Sequence, residues 1–235
     1  VLFGVPGGPA PWGKREVQFL CPSPGYDRHF AICEQLGIGM IVADIRDDGP
    51  DMDAVEEQVA RDGTIVGMWC VPKYSNPTGA VYSDAVVDRL ARMPTAAPDF
   101  RIFWDNSYAV HSFTGEPAPI KNLLTACTEA GYADRAFMYT STAKITFAGA
   151  GISAMAASST NIAWNLRHLG IQTIGPDRMN QLRHVLFLRD MPTILARMAR
   201  HAAIMKPKVD AVQSVLTREL GGKGIARWTN PGGGY

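Results

Sequence analysis

Cysteine is scarce in this sequence, and the cysteines that are present are not paired. The four are Cys21, Cys33, Cys70 and Cys127, and none forms a CxxC pair. This spacing argues against a zinc site and against a disulfide framework, so we expect no bound metal. Four reduced, buried thiols are the natural interpretation, and they favour a cytoplasmic location.

Long apolar runs and an excess of charge of either sign are also missing. No run reaches the roughly 18 apolar residues that a membrane span requires. The sequence has 23 basic and 22 acidic residues, which gives a formal net charge of +1. These absences argue against a membrane protein and against a nucleic-acid-binding protein. The opening residues, Val1 to Gly4, also lack the basic flank of a secretory signal.

The sequence does contain a regular alternation of short apolar segments and amphipathic ones. Strands are predicted at 17–21, 39–43, 65–71, 101–104, 136–140 and 152–157. Helices are predicted at 27–36, 51–62, 83–93 and 119–130, and 160–220 should be mostly helical, with one long helix interrupted near Pro207. This rhythm predicts an α/β fold with a mostly parallel sheet.

Polar segments follow four of the predicted strands. They are CPSPGY at 21–26, YSNPTG at 74–79, DNSY at 105–108 and TSTAK at 140–144. Because ligands bind at the carboxyl ends of parallel strands, we expect these segments to meet at one edge of the sheet.

Each of these segments, taken alone, has an ordinary structural explanation. A lysine such as Lys144 is usually a solvated surface residue, and an NPTG sequence is usually a turn. Asp105 could equally cap a helix, and Tyr26 could be packing. The five histidines show no metal-ligand spacing, so we expect a structural role for them. The order of all four segments is the more specific signal.

NPTG, then D-x-x-Y, then S-x-x-K resemble the motifs of class I/II, fold type I aminotransferases that depend on pyridoxal 5'-phosphate (PLP). The longer segments CPSPGYDRHF, VPKYSNPTG, FWDNSYAVH and STAKITFAGAG are similar to a bacterial subgroup of putative or aspartate-type aminotransferases. The resemblance covers nearly the whole chain. It implies a three-layer α/β/α large domain at 1–205, without its N-terminal part, and the start of a C-terminal small domain at 206–235.

The resemblance also implies a catalytic role for three residues. Lys144 would hold PLP as a Schiff base and, once freed by the substrate amine, would move the substrate's α-proton. Asp105 would keep the pyridine nitrogen protonated, so that the ring accepts electrons. Tyr108 would donate a hydrogen bond to the phenolic oxygen of PLP.

The other implied cofactor contacts are Asn76, Tyr26 and Ser141. Asn76 would share the phenolic oxygen with Tyr108, Tyr26 would cover one face of the ring, and Ser141 would bind the phosphate. The sequence departs from the family at Ile152, where many members carry a phosphate-binding arginine eight residues after the lysine. Thr140, Thr142 and Thr146 are the candidates to replace it. We expect the phosphate loop and the carboxylate-binding arginine of the family to lie outside this chain.

The resemblance predicts an aminotransferase that works on an amino acid and a 2-keto acid as a homodimer, with aspartate and 2-oxoglutarate as the suggested pair. A PLP-dependent lyase or decarboxylase of the same fold would share the cofactor residues. A ligand-sensing domain of a transcription regulator and a cofactor-free scaffold are further alternatives. The near-neutral charge argues against the regulator, and the intact set of Lys144, Asp105 and Asn76 argues against the scaffold.

Overall fold

The computed structural model describes residues 3–234, and its centre is a sheet of seven strands. The strands are β1 (Gln18–Ser23), β2 (Gly39–Arg46), β3 (Gly49–Pro50), β4 (Ile65–Cys70), β5 (Arg101–Asp105), β6 (Ala136–Ser141) and β7 (Ser153–Ala157). Their order across the sheet is β3-β2-β1-β4-β5-β6-β7. The five inner strands are parallel, and β3 and β7 pair antiparallel at the edges. The predicted α/β class with a mostly parallel sheet is therefore confirmed.

Helices connect the strands and fill the second half of the chain. They are α1 (Asp27–Leu36), α2 (Met52–Arg61), α3 (Asp84–Arg92), α4 (Leu123–Glu129), α5 (Ser159–Gln172), α6 (Arg178–Leu188) and α7 (Met191–Leu220). Three sequence signals mark their ends as predicted. The side chains of Asp51 and Ser83 accept the first free N–H groups of α2 and α3, and Gly37 ends α1 in the left-handed region at φ 65°.

The main core lies between the sheet and the helices of the first half. Strand β4 is buried along nearly its whole length, as expected for an inner parallel strand covered on both faces. Phe19 packs against Trp12 and Phe103, and Trp104 packs edge-on against Tyr82 on the other side of the core. All four cysteines are free and buried, which confirms that prediction.

Two helix predictions were wrong in their bounds. The helix predicted from residue 119 begins only at Leu123, because Pro117 and Pro119 favour extended backbone before them and Asn122 supplies the N-cap. The long helix was expected to be interrupted near Pro207, but α7 continues through that residue. A proline removes one N–H from the ladder, and the turns on either side of Pro207 hold the helix.

The predicted boundary between residues 205 and 206 falls inside α7, and the division into two domains stays a prediction. The end residues Val1, Leu2 and Tyr235 lie outside the described part of the chain. Among residues 3–234, no helix is long and apolar enough to cross a membrane.

Candidate active site

The polar segments identified in the sequence meet at one edge of the sheet. Because β1, β4, β5 and β6 are parallel, their carboxyl ends at Ser23, Cys70, Asp105 and Ser141 share that edge. Asp105 is the last residue of β5 and pairs in register with Tyr139 of β6. The last residues of these strands and the loops that follow them carry all six predicted site residues, so the polar segments do share one edge of the sheet.

Asp105 is held by a histidine from α1. The Nε2 atom of His29 lies 3.4 Å from Oδ2 of Asp105. The His29 ring stacks on Trp69 at 4.4 Å between centroids with an interplanar angle of 10°, and Tyr26 packs edge-on against it at 5.3 Å. On the other side of the carboxylate, the backbone N–H of Ser107 donates to Oδ1 at 3.1 Å, and the Ser107 hydroxyl donates to the same oxygen. Asp105 is thus oriented from two sides.

These contacts keep Asp105 ionised. Burial alone raises the pKa of the carboxyl group, but the hydrogen bonds from His29 and Ser107 and the charge of His29 outweigh burial. The net result is a pKa below the ordinary value for an aspartate. A stable negative charge at the end of β5 is what a protonated pyridine nitrogen requires.

Asn76 stands between two small cavities. The turn around it is closed by a hydrogen bond from the N–H of Ser75 to the carbonyl of Ala80 at 2.8 Å. One cavity is bounded by Asn76 together with Tyr26 and His29. The other has a volume of about 140 Å³ and is bounded by Asn76 together with Tyr108. Asn76 therefore lines both the cavity beside Tyr26, the predicted ring-covering residue, and the cavity beside Tyr108, the other predicted donor to the phenolic oxygen.

Lys144 lies in the loop between β6 and β7. Its Nζ atom is 4.7 Å from the centre of the Tyr108 ring. Within residues 3–234, no carboxylate lies within ion-pair distance of Nζ of Lys144. The carbonyl of Lys144 lies 3.4 Å from Nε2 of His111, which fixes the backbone of the loop.

The loop that carries Lys144 is closed by Thr142 rather than by an arginine. The Thr142 hydroxyl accepts from the N–H of Ile152 at 2.8 Å and donates to Nε2 of His184 at 2.8 Å. The Nδ1 atom of His184 lies 2.9 Å from the carbonyl of Asn180, which can only accept, so in the neutral ring Nε2 is the acceptor for the Thr142 hydroxyl. The hydroxyl of Thr142 therefore links the start of this loop to the backbone of Ile152, the position at which many family members carry the arginine.

Ser141 and the other two threonines have different neighbours. The Ser141 hydroxyl accepts from the N–H of Ala143 at 3.1 Å, at the start of the loop. Thr146 donates to the carbonyl of Thr142 at 3.0 Å. Thr140 is exposed and donates to the carbonyl of Asn106 at 3.3 Å. The hydroxyls of Thr142 and Thr146 each have a hydrogen bond of 3.0 Å or shorter, whereas the bond of Thr140 is 3.3 Å long.

A larger cavity opens beside Lys144. It has a volume of about 530 Å³ and is bounded by Lys144, by His111, and by Met198 and His201 of α7. Burial lowers the pKa of both histidines, and the charges of Arg197 and Arg200 lower that of His201 further. Among residues 3–234 the lining contains no aspartate or glutamate, and it consists of apolar, hydroxyl and basic side chains.

Sequence reasoning missed His29 and His111, which were treated as structural histidines. Each stands three residues after a predicted site tyrosine, His29 after Tyr26 and His111 after Tyr108. In each pair the N–H of the histidine donates to the carbonyl of the tyrosine, at 3.1 Å and 3.0 Å, and both histidines pack edge-on against those tyrosines. This repeated spacing is the signal that could have found them.

The fold and the sequence are those of known aminotransferases. A crystal structure of an aspartate transaminase from Corynebacterium glutamicum superposes with a TM-score of 0.96 at 46% identity, over 99% of this chain and 55% of that one. The alpha-aminoadipate aminotransferase LysN of Thermus thermophilus, complexed with N-(5'-phosphopyridoxyl)-L-leucine, shares the fold with a TM-score of 0.77 at 24% identity, over 94% of this chain and 56% of that one. The protein therefore has the three-layer α/β/α architecture of fold type I.

The family follows from the sequence comparison. The profile of the family described as "Aspartate amino-transferase" matches residues 1–235. A putative aminotransferase of Mycolicibacterium smegmatis is 51% identical over 236 residues, which cover 100% of this chain and 55% of the relative. The chain belongs to the aspartate amino-transferase family, as its motifs predicted. It spans about half the length of the curated relatives it matches.

Proposed function

We propose that the protein is a PLP-dependent aminotransferase that moves an amino group between an amino acid and a 2-keto acid. The observation that carries this proposal is the placement of two groups at the same edge of the sheet. Asp105 is kept ionised by His29, and Lys144 presents an amine beside Tyr108 without an ion-pair partner among the described residues. Aspartate with 2-oxoglutarate is the pair we favour, because relatives that match the whole chain are named aspartate aminotransferases.

The donor set of the site fits PLP. A lysine amine is needed for its aldehyde, a carboxylate for its pyridine nitrogen and hydrogen-bond donors for its phenolic oxygen. Lys144, Asp105 and the pair Asn76 and Tyr108 supply these groups at one edge of the sheet. Ser141 and Tyr26 complete the set as the phosphate-binding and ring-covering residues.

The mechanism assigns separate tasks to these residues. Bound PLP supplies an electron sink for the carbanion formed at the substrate's α carbon. Lys144 would hold the cofactor through its side-chain amine and, once that amine is free, would move the proton at the substrate's α carbon as a general base and acid. Asp105 keeps a proton on the pyridine nitrogen, and His29 keeps Asp105 charged and oriented. Asn76 and Tyr108 orient the phenolic oxygen.

We also propose that the protein is a cytoplasmic homodimer, with a PLP-binding large domain at 1–205 and the start of a small domain at 206–235. Large apolar side chains stay exposed around α5 and α6, including Ile171, Ile174, Met179 and Leu186. Apolar surface of this extent is typical of a protein–protein interface. The free buried thiols are typical of a reducing compartment.

A half-reaction tests the proposed activity. The full-length protein with PLP is mixed with aspartate, and the visible spectrum is followed before and after 2-oxoglutarate is added. An aminotransferase converts its cofactor to the amine form with aspartate alone and recovers the original spectrum only with the keto acid. The alternative, a lyase or decarboxylase of the same fold, turns over without a keto acid and would be identified by product release under those conditions.

A further inference from the structure

Residues 231–234, here called the glycine segment, are fixed to the loop that follows Tyr108. The N–H of Phe113 donates to the carbonyl of Gly232 at 2.9 Å, and the N–H of Gly234 donates to the carbonyl of His111 at 2.8 Å. Ser112 and Gly233 form an antiparallel bridge between these two bonds. The segment is therefore held as a short two-stranded pairing.

The glycine segment packs closely on the turn that carries Asn76. A Cβ atom at Gly233 would lie 2.4 Å from the Tyr74 ring and 2.3 Å from the carbonyl oxygen of His111. A Cβ atom at Gly79, which has φ 76°, would lie 2.4 Å from Cβ of Pro231. All three distances are shorter than real Cβ contacts, so this packing requires glycine on each side.

A displacement of Tyr74 would reach the turn that carries Asn76, because the Tyr74 side chain is held in place by its surroundings. It is buried, and its hydroxyl accepts from the N–H of Ala118 at 3.1 Å. The side-chain amine of the neighbouring Lys73 donates to the carbonyl of Ala118 at 2.6 Å. Tyr74 stands two residues before Asn76, and both bound the cavity that also contains Tyr108 and Gly233.

We infer that Gly233 is a positioning residue for the cofactor site, and that the glycine segment, acting through Tyr74, sets where the Asn76 amide lies. The inference rests on the proposed function for the role of Asn76. A side chain at 233 pushes the Tyr74 ring, and the turn that follows it shifts the Asn76 amide away from the phenolic oxygen. Gly233 touches neither substrate nor cofactor in this account.

The chain offers a matched control one residue away. A Cβ atom at Gly232 would have its nearest neighbour, an atom of the Tyr74 ring, at 4.0 Å, which is an ordinary contact. Gly233→Ala and Gly232→Ala therefore add the same methyl group to the same segment, and only the first collides. Both variants are made in the full-length protein.

The first readout is hydrogen exchange of peptides covering residues 74–80, measured without cofactor. The Gly233→Ala variant should exchange the amides of Ser75 and Gly79 faster, because their turn hydrogen bonds to Ala80 and Ser75 are disturbed. The Gly232→Ala variant should match the wild type. Unchanged exchange in Gly233→Ala would overturn the inference.

The second readout is the pH titration of the visible absorption of the lysine-bound cofactor. The proton on the nitrogen that joins Lys144 to the cofactor is held by the phenolic oxygen. When that oxygen loses a hydrogen-bond donor it holds the proton more strongly, so the pH midpoint of the absorption change should rise in Asn76→Ala. Gly233→Ala should raise it in the same direction by about half a unit or more, with no further rise in the double variant. A midpoint equal to that of Gly232→Ala would overturn the inference.

A second variant keeps the inference testable if Gly233→Ala does not fold. Tyr74→Phe removes only the hydroxyl that binds Ala118, so a smaller rise of the midpoint is expected, and no rise contradicts the account. If the wild type binds no cofactor, the proposed function fails, while the exchange comparison still decides whether Gly233 holds the Asn76 turn.

Discussion

Nε2 of His29 lies 3.4 Å from Oδ2 of Asp105, and the His29 ring is stacked on Trp69. The stack fixes the plane of the imidazole, and the imidazole fixes the carboxylate. A buried aspartate would otherwise have a raised pKa, because burial disfavours its charged form. The contact with His29 therefore bears directly on the charge that the proposed chemistry needs at the end of β5.

Replacing His29 by phenylalanine should reduce activity without loss of the stack. His29→Phe keeps an aromatic ring on Trp69 but removes the nitrogen that faces Asp105. We expect kcat to fall by about tenfold, which corresponds to about 1.4 kcal/mol. Steady-state kinetics of the full-length protein measure this. The matched control is His168→Phe, at a histidine of α5 that contacts Trp164 and Phe3; equal activity in the two variants would contradict the role of His29.

Asp105 should make the stability of the protein depend on acid pH. Its pKa is lower in the folded protein than the value of about 3.9 in an unfolded chain. The ionised carboxylate therefore contributes stability that is fully present above about pH 4 and is lost as the pH falls through the folded pKa. Urea unfolding of wild type and Asp105→Asn should give a difference in the free energy of unfolding at about pH 5 that shrinks as the pH falls below about 4. A difference that grows at low pH would contradict this sign.

Asp99 should be a main support of the core away from the site. It is fully buried, and its Oδ2 accepts from Nε1 of Trp12 at 2.7 Å and from Arg15. Asp99→Ala leaves the guanidinium of Arg15 and the indole N–H without their acceptor, and we expect the free energy of unfolding to drop by roughly 3–5 kcal/mol. Denaturant titration measures the change. The exposed Asp47 provides the control, since Asp47→Ala should stay within about 0.5 kcal/mol of the wild type.

Thr142 should hold the Lys144 loop. Thr142→Val preserves the shape of the side chain but leaves the N–H of Ile152 and Nε2 of His184 without the hydroxyl. We expect a loss of about 1–3 kcal/mol in local stability, seen as faster hydrogen exchange at 142–152 and weaker retention of PLP on dialysis. Thr140→Val is the comparison, because that hydroxyl is exposed and its bond to Asn106 is 3.3 Å long. Similar exchange in both variants would show that Thr142 does not support the loop.

Much of the fold could be predicted because its signals are local. The apolar run of β4 and the capping residues Asp51 and Ser83 each act within a few residues of themselves. The start of α4 was not predicted, because the N-cap residue Asn122 decides it. The continuation of α7 through Pro207 was not predicted either, because the helical turns on both sides of the proline outweigh its low helix propensity. The antiparallel direction of β7 depends on its pairing with β6, which periodicity does not reveal.

The candidate site divides in the same way. Asp105, Asn76 and Lys144 stand just after predicted strands, so the rule for parallel sheets brings them together. The contact between His29 and Asp105 joins α1 to β5, and it exists only once the helix has packed on the sheet. The support of the Lys144 loop by His184 likewise requires α6 to be in place. Such long-range contacts are not encoded in any single segment.

The central claim is that Lys144 binds the cofactor covalently. The most direct measurement is borohydride reduction of the full-length protein with PLP, followed by peptide mass spectrometry, for wild type and Lys144→Ala. The account predicts a phosphopyridoxyl adduct on the peptide that contains Lys144, together with bleaching of the visible band. It predicts no adduct at residue 144 in the variant and a fall in activity on the order of 10²–10⁴ or more. A wild-type protein that carries no adduct at Lys144 would contradict the account.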